Sequence, residues 1–299
     1  MVFGRCTPGP RPTYCPGNDD DFGCSHSTQP KTGDPMSTTA VAIGVGHSWS
    51  VSLAICIRGL QRLRARPVIL IPTVVMPIFF VISFTGAFSS LTKIEGYGTS
   101  NIFNWMAPYA ALQGAVFAGV GGAMSAADDI ENGFFDRLLL TPGSRLPILI
   151  GTTGYSGVRS IIPTTCVLGV AALGGLELPG GVIGLVSLYV ATAGLSVVFC
   201  LIGLTIAYRL RSLRSMMIVQ VIGFSSMFLS VGQVPIDFLE GWLHDAARLN
   251  PLTNVLRLAR QGFVGEMSWD LTWPGLVAIA LMALFTGASA FRALMKLAP

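Results

Sequence analysis

Six apolar runs, each close to or beyond the length of a bilayer crossing, divide this sequence at residues 68–90, 105–127, about 155–176, 182–207, 216–234 and 274–291. A hydrocarbon core about 30 Å thick takes about 20 helical residues at about 1.5 Å each. Among the six runs the one charged side chain is Arg159. Lipid offers no hydrogen bonds to peptide groups, so each run has to be helical. The fold class that follows is all-α, a polytopic membrane protein with six transmembrane helices. Composition agrees, because 11% charged residues is well below the roughly 25% of soluble domains.

Residues 128–145 interrupt this pattern with Asp128, Asp129, Glu131, Asp136, Arg137 and Arg145 between two apolar runs. Such a segment belongs in water. Phe134, Phe135, Leu138 and Leu139 fall on one face of a short amphipathic helix, Glu131, Asp136 and Arg137 point elsewhere, and Thr141-Pro142-Gly143 stops it.

Within the first run, Pro72 and Pro77 predict kinks, and in the second, Gly114, Gly119, Gly121 and Gly122 offer surfaces for close helix contact. Arg159 is expected near the cytoplasmic end of the third, able to snorkel or pair with a carboxylate. Counting loop cations sets the orientation. With the N-terminal segment inside, Arg58, Arg62, Arg64, Arg66, Arg137, Arg145, Arg209, Arg211, Arg214, Arg292 and Lys296 face the cytoplasm, against Lys93, Arg248, Arg257 and Arg260 outside. The positive-inside rule therefore places both termini in the cytoplasm.

Residues 1–46 read as a disordered tail, rich in Pro, Gly and Asp up to residue 35, with no apolar run to serve as a signal peptide; Met36 offers a more ordinary start. Cys6, Cys15 and Cys24 are separated by eight residues each, which fits no metal-binding spacing, and Cys56, Cys166 and Cys200 lie singly in apolar stretches. No metal site is expected. Residues 47–66 form an amphipathic pattern, with Trp49, Leu53, Ile57 and Leu60 on one flank and Arg58, Arg62, Arg64 and Arg66 crowding the second half. An in-plane helix is expected there, its arginines toward anionic headgroups. The connector at 235–273 mixes apolar and charged residues at helical spacing; two short helices broken at Asn250-Pro251 satisfy it, either as a loop dipping into the outer leaflet or as a folded cap.

Several functions are disfavoured by the same residues. The net charge of +4 comes from cations at the ends of apolar runs, not from a patch that would hold nucleic acid. No Gly-Lys dipeptide occurs, hence no phosphate-cradling G-x-x-x-x-G-K-[ST] loop. His26, His47 and His244 lie far apart. A membrane-embedded transferase acting on a lipid needs two facing acidic clusters for Mg²⁺, and Asp128-Asp129 is a single pair. A secondary transporter is expected to bury ionisable groups at mid-membrane, and the runs offer little beyond Arg159.

The order of these parts resembles the membrane subunit of type-2 ABC transporters, the permease family of daunorubicin-resistance-type drug exporters and of polysaccharide and lipid exporters. Two stretches carry the likeness: Glu131-Asn-Gly-Phe-Phe-Asp-Arg-Leu-Leu-Leu-Thr-Pro-Gly-Ser-Arg145, and the Pro235–Arg260 stretch with its Pro and Asp, Gly-Trp and Leu-Asn-Pro-Leu. It covers the chain from about Ser48 onward, with 67–299 as the permease domain. The resemblance implies a non-enzymatic exporter half in the plasma membrane, driven by a separate ATP-binding subunit that holds ATP and Mg²⁺, and completed by a second permease, identical or related. Glu131, Gly133, Phe134, Asp136, Arg137, Pro142 and Arg145 would form or brace the contact with that ATPase. A hydrophobic drug, lipid or lipid-linked cargo would then pass the first, second and fifth spans, where Phe79, Phe80, Phe224 and Phe228 provide apolar surface and Ser225, Ser226 and Gln233 the polar groups.

Overall fold

The computed structural model describes residues 39–90, 99, 101–139, 145–230, 232–236, 240–265 and 267–297. The expected tail up to residue 38, with Cys6, Cys15, Cys24 and His26, lies outside them. Val41–Pro299 form one compact unit.

The described residues form helices and turns, in the order α1 (Thr39–Ala65), α2 (Ile71–Phe88), α3 (Ile102–Glu131), α4 (Phe134–Leu139), α5 (Leu146–Arg159), α6 (Ile161–Leu173), α7 (Gly181–Leu210), α8 (Met216–Leu229), α9 (Trp242–Leu249), α10 (Pro251–Val264) and α11 (Trp269–Lys296). Among the described residues, five spans are long and apolar enough to cross a membrane: Pro67–Phe88, Ile102–Glu131, Leu146–Leu173, Gly181–Leu210 and Trp269–Lys296. A shorter apolar helix, Leu213–Leu229, stands where the sequence places the fifth crossing.

Helix α3 is the axis of the bundle. Ala107, Ala111, Ala115, Ala118, Ala123 and Ala127 on it are wholly buried. Small side chains there let α7 approach closely: a Cβ on Gly119 would meet the Ser196 carbonyl, and one on Gly203 would meet Ala123. Without a hydrophobic drive between helices in lipid, such contact is what packing energy comes from.

Two sequence expectations change. The third crossing begins at Leu146, not near Tyr155, because residues 146–154 carry no charge and continue the apolar run. That shift moves Arg159 from the expected cytoplasmic boundary to the middle of the span, at the α5–α6 junction. Its depth is fixed by its neighbour Ser156, whose hydroxyl lies 2.8 Å from that of Ser196, midway along α7. Arg159 is 1% exposed. No carboxylate pairs with it among the described residues; it donates instead to Tyr155 Oη at 3.4 Å, the Ile69 carbonyl at 3.4 Å and Thr73 Oγ1 at 3.3 Å.

The fifth crossing also ends early. The Ser230 hydroxyl donates to the Met227 carbonyl at 2.7 Å as α8 stops, and the chain turns. Helix α10 then returns through the bundle, burying Leu252, Val255, Leu256, Leu258, Ala259 and Phe263 in the core that holds Met106 and Tyr109 of α3 and Leu188 of α7. Of the two forms the connector sequence allows, the structure adopts the one that dips among the spans. Asn250 sets it by capping α10, its Oδ1 accepting from the Leu252 N–H at 3.0 Å while its Nδ2 donates to the Ser226 carbonyl at 2.8 Å.

Candidate functional site

The charged segment after α3 is built by a glycine. Asn132 N–H donates to the Asp128 carbonyl at 3.0 Å and Gly133 N–H to the Ile130 carbonyl at 3.1 Å, while Gly133 sits at φ 69°. A side chain resists that left-handed conformation, so glycine allows the chain to leave α3 and start α4 one residue later. Helix α4 is pinned by its two phenylalanines. Phe135 is buried with its ring centroid 5.5 Å from that of Tyr208 on α7. Phe134 is exposed on its outer side and covered by the Arg58 guanidinium, 3.8 Å from the ring centroid.

Arg58 and Arg62 of α1 converge on Asp129, with Nη2 atoms 2.9 and 2.6 Å from Oδ1. Arg62 also reaches Asp128 at 3.8 Å and donates to the Ser125 carbonyl at 3.3 Å. The expectation that these two arginines face headgroups is corrected here: a half-buried carboxylate on α3 holds them more strongly than a diffuse lipid surface does. Arg64 and Arg66 stay exposed. Beneath the pairs lies a cavity of about 50 Å³, lined by Gly59, Asp129, Phe134, Phe135, Thr152 and Tyr155 among others. Cys56 of α1 has its thiol pushed above the ordinary range by burial, so it stays protonated at neutral pH.

Other predicted residues are spread around this cluster. Glu131 accepts from the Leu213 N–H at 2.6 Å and so braces the turn between α7 and α8. Asp136 is exposed, Arg145 is half-buried at the start of α5, and the side chain of Arg137 and all of Pro142 lie outside the described residues.

At the other proposed locus, Phe80 lies 5.7 Å from Phe224 and 6.4 Å from Phe228, and Phe79 lies 6.2 Å from Phe80. Phe84, Phe88 and Phe117 extend these rings into a stripe across α2, α3 and α8. Ser225 is exposed beside it. Gln233 is elsewhere, donating to Tyr109 Oη at 3.1 Å.

The architecture and the charged loop have relatives. A sequence profile described as ABC-2 type transporter matches residues 52–264. This chain belongs to that family. It is 26% identical over 260 residues, covering 84% of this chain and 86% of the relative, to the daunorubicin resistance ABC transporter permease protein DrrB1 of Streptomyces coeruleorubidus. It is 24% identical over 203 residues, 67% of this chain and 69% of the relative, to ycf38 of Cyanophora paradoxa, whose name describes it as a transport permease. As an ABC-2 protein the chain is a multi-pass membrane permease, a member of a family of transmembrane subunits rather than ATPases.

In this ABC-2 permease the sequence reading missed the Arg58–Arg62–Asp129 cluster. The signal was present as opposite charges, a basic half-helix and an adjacent acid pair. Nothing in the one-dimensional chain placed them together across about seventy residues, as the separations of 71 and 67 positions show.

Proposed function

We propose that this permease is the membrane half of an ATP-driven exporter, and that α4 with its flanking loop receives force from a separate ATP-binding subunit in the cytoplasm. Two such permeases, identical or related, form the passage in the plasma membrane, and the ATP and Mg²⁺ belong to the partner. The observation that carries the reading is the mounting of α4: Phe135 locks it to α7, and Phe134 locks it through Arg58 to α1, which is in turn tied to α3 at Asp129. A displacement of α4 therefore loads three helices at once. Exposed Asp136 and the neighbouring Arg137, Pro142 and Arg145 would make the contact, while Glu131 and Gly133 brace it. The phenylalanine stripe is the apolar wall along which a hydrophobic drug, lipid or lipid-linked cargo would move.

Two other readings fare worse. Asp129 is occupied by two arginines of its own chain, which weighs against Asp128-Asp129 as a Mg²⁺ pair of a transferase. Arg159 lies at mid-depth, as an ion-coupled transporter would want, but a guanidinium does not release its proton in proteins and cannot cycle one.

Asp129→Asn is expected to reach the membrane at normal levels and lose about 1 kcal/mol of stability, since both ion pairs are partly solvated. Its transport, and the stimulation of the partner's ATP hydrolysis, should both fall severalfold when reconstituted in proteoliposomes. Full activity in that variant and in Arg137→Glu would remove the coupling role from this segment.

A further inference from the structure

At the end of the bundle away from Asp129, a cavity of about 280 Å³ opens between the start of α3, α10, the start of α11, Ser230 and residues 234–236. Arg257 and Arg260 both line it from α10, three positions apart and hence on one face of the helix. Arg260 is half-buried, its guanidinium 3.7 Å from the Trp105 ring centroid, and it donates to the Gly232 carbonyl. Arg257 is exposed to this space and makes no hydrogen bond or ion pair among the described residues. The amide and hydroxyl groups of the lining are already committed: the Gln261 amide and the adjacent Thr272 hydroxyl bond each other, and the Ser230 and Thr253 hydroxyls donate to the carbonyls of Met227 and Ala247. No acidic residue lines the cavity among the described residues. Leu256, Val264, Leu271, Pro235 and Ile236 make the rest of its wall.

The depth of Arg257 gives this arrangement its meaning. Helix α10 meets the foot of α7 at Gly262, whose carbonyl accepts from the Gly180 N–H at 2.9 Å. Arg257 lies five residues before that point, about 7.5 Å along the helix axis at about 1.5 Å per residue. A solvated guanidinium at the mouth of a cavity with apolar walls is free to pair with an anion that enters it. A guanidinium matches a phosphate or carboxylate through two parallel hydrogen bonds, and the apolar wall beside it suits a hydrocarbon or aryl group better than water.

We propose that this cavity binds the anionic headgroup, phosphate or carboxylate, of an amphiphilic molecule whose apolar part lies along Leu256, Val264 and Leu271. The headgroup pairs with Arg257, while Arg260, held against Trp105 and Gly232, adds positive charge on the same helix face. A cationic amphiphile is repelled from the same place.

The test uses the purified full-length permease in a neutral maltoside detergent, without any ATPase, so its failure is separate from any failure of the coupling reading. Dioctanoyl phosphatidic acid, dioctanoyl phosphatidylcholine and inorganic phosphate are titrated by thermal stabilisation and by the change in tryptophan fluorescence that a Trp105→Phe variant removes. Dioctanoyl phosphatidic acid should bind about tenfold or more tightly than the zwitterionic lipid, and inorganic phosphate should be weaker still. Arg257→Gln should weaken the acidic lipid by about tenfold, whereas Arg248→Gln, an exposed arginine on α9, should leave it unchanged. Arg260→Gln, if folded, should weaken it as well; because Arg257 is exposed, its variant keeps the test valid where the other misfolds. Equal binding of the acidic and zwitterionic lipids, phosphate as strong as the acidic lipid, or an unaffected Arg257→Gln each overturns the proposal.

Discussion

Gly262→Val is expected to leave little correctly folded permease in the membrane. Gly262 on α10 faces Gly184 and Gly180 at the start of α7, and a Cβ on any of the three would overlap the backbone of its opposite number. The Gly180 N–H donates to the Gly262 carbonyl across this crossing, so the two chains cannot separate without losing a hydrogen bond as well. Overfilled cores usually lose about 1–3 kcal/mol because side chains shift aside. Here the obstacle is main chain on both sides, and a loss of at least about 3 kcal/mol is expected. Fluorescence-detected gel filtration and thermal melting in detergent would read it. A Gly262→Val protein with a wild-type elution profile and melting midpoint would show that the crossing is looser than described. Gly184→Ala, with a single methyl group, should be intermediate.

Arg159→Met should separate stability from transport in the opposite way. The guanidinium is wholly buried at mid-depth, its Nε has no hydrogen-bond partner, and its other contacts are neutral oxygens at 3.3–3.4 Å. Burying a cation without an anion is unfavourable, and replacing it with an apolar chain of similar length is often neutral or stabilising. The expected melting midpoint is therefore unchanged or higher. Transport should fall to background, because Arg159 joins α2, through Ile69 and Thr73, to the junction of α5 and α6 and rests its guanidinium on Gly121 of α3. Three spans, that of α2, that of α3 and that of α5 and α6, meet at this one side chain. A residue that costs stability and sits at such a junction is expected to serve the motion. A midpoint lowered by several degrees would mean that the guanidinium holds the bundle together, and wild-type transport would mean that it has no part in the cycle. Arg159→Lys, which keeps the charge and loses the planar fork, should recover little transport.

Membrane class, the all-α fold and the position of the water-exposed helix at Phe134–Leu139 were legible in the residues. The contact of Phe80 with Phe224 and Phe228 was not legible, because nothing along the chain says that α2 and α8 are neighbours. The boundary of the third crossing was not legible, because an apolar stretch before Tyr155 looks the same whether it lies in a loop or a span. Misplacing that boundary by about nine residues was enough to put Arg159 at the wrong depth. The short fifth crossing and the returning α10 were hidden for a related reason: α10 carries Arg257 and Arg260 among apolar residues, a pattern shared by a surface cap and by a helix whose charged face lines an internal cavity.

The sequence by itself determined that this chain crosses a bilayer repeatedly as helices, because about twenty uncharged residues in lipid have no other way to satisfy their peptide groups. It also determined that α4 must sit in water. Tertiary structure alone decided which charges meet: Arg58 and Arg62 with Asp129, Arg159 with carbonyl and hydroxyl oxygens, Arg260 with Trp105. Pairing of that kind depends on which faces of distant helices come into register. That register is set by the fit of small residues such as Gly119, Gly203 and Gly262 against backbone, a property of three-dimensional packing that hydropathy along the chain does not carry.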